Sequence, residues 1–132
     1  MLELKAEEIR RMWKEYERKL TMKAESTIEG ILEKYPKARF AWNYVKDNEY
    51  IRGLWEMADY IVVKKMKYNA HGDTHAKVVA ANALKILNIL LMKGYVPDIV
   101  KDGIGDIDDA HLVVLLSALL HDIGNGVERK RH

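Results

Sequence analysis

The run Leu112-Val113-Val114-Leu115-Leu116-Ser117-Ala118-Leu119-Leu120 constrains this chain more than any other feature. It opens from Asp108-Asp109-Ala110-His111, whose carboxylates suit the positive end of a helix dipole. It closes on His121-Asp122, and Gly124 and Gly126 then stop it. A helix apolar on every side belongs at the centre of a bundle, with other helices as its walls.

The rest of the sequence supplies walls. Only two Pro occur in 132 residues, which leaves room for long helices. From about Glu3 to Tyr35, Ile9, Met12, Trp13, Tyr16 and Leu20 fall at helical spacing, and Ile28, Ile31 and Leu32 resume it. Glu7, Lys14, Glu15, Arg18 and Lys19 take the opposite face, so the apolar stripe is predicted to be buried. Pro36 ends that segment, and a short helix follows from Ala38 to Val45. Another spans about Glu49 to Lys67, burying Ile51, Leu54, Trp55, Ala58, Ile61 and Val62. Asp73 or Thr74 is expected to cap a helix that runs to Lys93 and ends at Gly94. Gly94 to Asp106 reads as a loop. The prediction is an all-α bundle of about five helices forming one domain over residues 1–132, with N-terminal helices in 1–68.

Charge excludes one class of partner. With 22 Lys+Arg against 20 Asp+Glu, the net charge of +2 gives no basic footprint for nucleic acid. The absence of Cys removes disulfides and thiolate metal sites, and it fits a reducing cytoplasm. The opening Met1-Leu2-Glu3-Leu4-Lys5 lacks the pattern of a secretory leader, and no unbroken apolar run approaches the roughly 20 residues of a membrane span. A cytoplasmic protein without a membrane partner is expected. An unfinished core would expose an apolar patch, so the long first helix is a candidate for half of a homo-oligomer contact.

The histidines carry the chemical signal. His75 lies at the start of one interior helix, and His121-Asp122 lies at the end of the next. Two helices joined by a modest loop pack antiparallel, which brings those ends together across 46 positions of sequence. His75, Val78, Val79, Asn82, Ile86 and Leu90 share a stripe, so His75 is expected to face inward, as is His121 beside Ala118. Two imidazoles and a carboxylate suit a divalent ion such as Mn, Fe, Co, Ni, Zn or Mg. His111 reads as a rim residue outside this site. A lone histidine at a helix end is explained by the dipole alone; the pairing with His75 is what favours a shared ion.

His75-Ala76-Lys77-Val78-Val79-Ala80, followed by Leu119-Leu120-His121-Asp122-Ile123-Gly124, resembles the HD superfamily of metal-dependent phosphohydrolases. The resemblance covers residues 69–132, as the first part of an HD-type core. It implies that His75, His121 and Asp122 ligate the metal, with Asp122 also catalytic. It further implies His132 as a ligand to another metal and His71 as a substrate-binding residue. The substrate would be a nucleotide or another small phosphate ester. The family completes its site with an Asp on a later helix, and here the sequence stops ten residues past Asp122. A fragment of a longer protein, binding metal weakly and turning over slowly or not at all, is expected. The alternative is a non-catalytic binding or regulatory module that keeps a vestigial His-Asp pair.

Overall fold

The computed structural model describes residues 2–60 and 72–123, with side chains described for 5–58 and 72–123. The described residues form six helices and no strand, so the protein is all-α. These are α1 (Leu2–Leu32), α2 (Pro36–Lys46), α3 (Glu49–Tyr60), α4 (Gly72–Met92), α5 (Asp98–Lys101) and α6 (Ile107–Leu120).

Helix ends follow local chemistry. Pro36 opens α2, where its missing N–H costs nothing. The amides of Lys37 and Ala38 donate to the two carboxylate oxygens of Asp108, at 2.9 and 3.0 Å, so α6 caps α2. Asp106 caps α6 and exchanges side-chain–backbone bonds with Asp109, a reciprocal capping box. At the end of α4, Gly94 takes φ +90° and the Tyr95 amide reaches back to the Leu90 carbonyl, a Schellman stop. The loop expected after it contains the one-turn helix α5, which makes six helices rather than five. Helix α4 begins at Gly72, so neither Asp73 nor Thr74 is its cap; both are already helical.

The core lies where α4 meets α1, α3 and α6 and where α6 meets α2. Small residues set the spacing: Ala24, Ala38, Ala76, Ala80, Ala81 and Ala118 are buried beside Ile28, Leu32, Trp42, Leu84, Leu115 and Leu119. Close approach of backbones maximises dispersion contacts. Helix α4 is long and apolar enough to cross a membrane by length and composition, although its unbroken apolar runs are short; in the fold it packs against three helices, with Lys77 turned into the core.

Three expectations about faces need correction. The stripe containing His75 is not the buried face of α4: Asn82, Ile86 and Leu90 are exposed, while Ala76, Lys77, Ala80, Ala81, Leu84 and Leu87 are inside. When most faces of a helix are apolar, periodicity does not say which of them finds a partner. Helix α6 is likewise not enclosed on all sides, since Val113 and Ser117 are exposed. Among the described side chains of α1, Ala24, Ile28 and Leu32 are buried while Ile9, Met12, Trp13 and Tyr16 are exposed, and α1 bonds α4 through Thr21 and Glu25 of its second half. Ile61 and Val62 lie outside the described residues.

Candidate functional site

Two contacts show that α4 and α6 run antiparallel. Near one end His111 Nε2 lies 3.2 Å from Asn88 Oδ1; at the other, His75 Nε2 lies 3.0 Å from Asp122 Oδ2. The 13 positions from His75 to Asn88 make this about a 20 Å overlap. His75 sits in the first turn of α4, anchored by its neighbour Thr74, whose hydroxyl bonds that of Thr21 on α1 at 2.7 Å.

His121 is the C-cap of α6, and Asp122 follows it. His121 Nε2 lies 2.9 Å from the same Asp122 Oδ2 that His75 approaches, and the two imidazole centroids are 5.4 Å apart. One ligand atom from each of the three residues falls within 4.8 Å of the others. Side-chain exposures of 42% for His75, 36% for His121 and 25% for Asp122 leave the cluster open to solvent on one side. An ion therefore has a path in.

The carbonyls at the end of α6 orient this cluster. His121 Nδ1–H donates to the Ala118 carbonyl at 2.6 Å, and the buried Trp55 indole N–H donates to the Leu119 carbonyl at 2.8 Å. Both acceptors belong to the last turn, which has no intrahelical donor to spare. With Nδ1 carrying a proton, His121 Nε2 faces a carboxylate oxygen at hydrogen-bond distance. The donor set thus fits a divalent ion.

The structure brings together His75, His121 and Asp122; His71 and His132 lie outside the described residues. His111 is not a rim residue. It is fully buried, stacks on Tyr35 with centroids 3.7 Å apart, and donates from Nδ1 to the Ile107 carbonyl at 2.8 Å. The aromatic face of Tyr35 and the local carbonyl together make it a satisfied core residue, still outside the site. Trp55, expected only as part of a buried stripe, is a positioning residue for the doublet. Its place on the buried stripe of α3 was legible, but its carbonyl partner 64 positions away was not. A groove of about 770 Å³, lined by Phe40, Tyr44, Leu112 and Leu116, lies between α2 and α6, away from the cluster.

Fold and site define an all-α bundle with a His–His–Asp cluster where two antiparallel helices meet. The chain is similar to an uncharacterized protein of Methanocaldococcus jannaschii, with 46% identity over 85 residues. That match takes in 64% of this chain and 33% of the relative, so the chain spans about a third of the length of the protein it matches. No family model and no solved structure matches.

Proposed function

We propose that this chain belongs to a divalent-metal-dependent phosphohydrolase of the HD type, acting in the cytoplasm on a nucleotide or another small phosphate ester. The observation that carries this reading is the convergence of His75 Nε2 and His121 Nε2 on Asp122 Oδ2, from helix ends 46 positions apart. His75, His121 and Asp122 would hold the ion, one of Mn, Fe, Co, Ni, Zn or Mg. When bound, a divalent ion lowers the pKa of water and offsets negative charge on a phosphoryl oxygen.

The protein's own residues prepare that chemistry. The bond from His121 Nδ1–H to the Ala118 carbonyl fixes the tautomer, so that Nε2 offers its lone pair to the site. Trp55 holds the turn that carries the His-Asp doublet. Asp122 brings a negative charge between the two imidazoles, which favours a cation there and gives the site a proton acceptor at Oδ2. By the same resemblance, substrate binding would fall to His71 and a further metal to His132.

The test is metal analysis of the purified chain, with hydrolysis of a generic aryl phosphate after addition of Mn or Ni. The reading expects bound metal that His121→Ala removes, together with any turnover. Metal content and activity unchanged in that variant would overturn it. A second reading, a helical binding module with a vestigial pair, is favoured by the exposed apolar side chains Ile9, Met12 and Tyr16 of α1. It expects no stoichiometric metal.

A further inference from the structure

The first turn of α4 is held by α1 at two points, one on each side of His75. The Thr74 hydroxyl meets that of Thr21 at 2.7 Å, and the Lys77 ammonium meets the Glu25 carboxylate at 2.6 Å, with Asp73 on the same ammonium at 3.6 Å. Thr21 already donates to the Glu17 carbonyl at 2.9 Å, so the proton between the two hydroxyls comes from Thr74. The spacings match: Thr21 and Glu25 are four apart on α1, and Thr74 and Lys77 are three apart on α4, each about one turn. Thr74 and Lys77 are 8% and 2% exposed, so water competes poorly for either contact. The same ammonium lies 6.0 Å from the ring of Trp55, whose N–H holds the Leu119 carbonyl just before the His-Asp doublet. Both halves of the cluster thus lead back to one buried group.

We propose that Thr21 and Thr74, with Glu25 and Lys77, are positioning residues for the cluster: they set the rotation of α4 about its axis and so aim His75 Nε2 at Asp122 Oδ2, 3.0 Å away. Successive residues of a helix point about 100° apart, so a turn fixed through Thr74 fixes the direction of His75. One contact leaves that turn free to pivot; two contacts a turn apart do not. A ring nitrogen about 6 Å from the axis moves about 1 Å for a rotation of about 10°, enough to spoil a shared ligand geometry. The effect on an ion rests on the metal reading above, whereas the aim of the imidazole does not.

Calorimetric titration of the full chain with Mn or Ni tests it. Thr74→Val and Thr21→Val should each weaken binding by about tenfold, and Thr74→Ser should bind like the native chain. The double Val variant should lose no more than either single one, because both remove the same bond. Ile28→Val, in the core two turns beyond Thr21, should lower stability and leave affinity unchanged. Native affinity in Thr74→Val, or an equal loss in Ile28→Val, would overturn the proposal. A native chain that binds neither metal would sink the metal reading alone, and the imidazole nitrogen shifts of His75, measured by NMR on the metal-free chain, then decide. The proposal expects them to move in Thr74→Val and to stay in Ile28→Val; unchanged shifts in Thr74→Val overturn it.

Discussion

Lys77 is buried in the core with its side chain only 3% exposed, between the rings of Trp42 and Trp55, each 6.0 Å away. Glu25 meets its ammonium at 2.6 Å, and Asp73 stands farther off at 3.6 Å. Removing a charge from water costs several kcal/mol, and a buried pair recovers that only while both partners remain. The two halves of the pair should therefore differ on mutation. Glu25→Ala leaves the ammonium poorly matched and is expected to cost about 2 kcal/mol. Lys77→Met, which removes the buried charge, should stay within about 1 kcal/mol of the native chain. Urea denaturation of both variants checks the order; equal losses would show that the Lys77 stem, rather than its charge, matters to the core.

Contacts at helix ends join the elements to one another. Asp108 of α6 takes both of its bonds from the first turn of α2, and it is itself buried. Asp108→Ala leaves two amides without an acceptor and is expected to cost about 2 kcal/mol by chemical denaturation. Beside it, the Asp106 amide and then Lys37 hold the Asp109 carboxyl below the usual carboxylate range. The Trp42 indole N–H, and less strongly Lys46, does the same for Glu29. A carboxyl whose pKa is depressed by folding stabilises the protein fully above its unfolded pKa. That contribution is lost as pH falls through the folded value. The thermal midpoint should thus fall on acidification below about pH 4.5, and Glu29→Gln should shallow that fall. For Lys37 the sign reverses: Asp109 raises its pKa, so its contribution is present at neutral pH and is lost only in strong base.

In the assembled molecule, the three cluster residues belong to the ends of two different helices, so an ion shared among them ties α4 to α6. If the metal reading is right, Mn or Ni at a hundredfold excess over its dissociation constant stabilises the fold by about 2.7 kcal/mol, on the order of 10 °C in the thermal midpoint. Asp122→Asn should abolish that shift, and its apo midpoint gives separately the worth of the contacts Asp122 makes with His75 and His121. Calorimetry with and without metal measures both. A shift of equal size in Asp122→Asn would place the ion elsewhere.

Much of this arrangement is written locally. Pro36, Gly94 and the Asp106–Asp109 cap mark helix boundaries through backbone chemistry that needs no distant partner. The meeting of His75 with His121-Asp122 was also legible, because a modest connection between two helices leaves antiparallel packing as the simple outcome. The choice of buried face in α4, the exposure of the early α1 stripe, the burial of His111 and the bond from Trp55 to Leu119 were not legible. Each depends on which surface another helix occupies, and an apolar stripe records only that a partner is favourable. Spacing along the chain fixes where helices start and stop; packing between them fixes which side chains leave water.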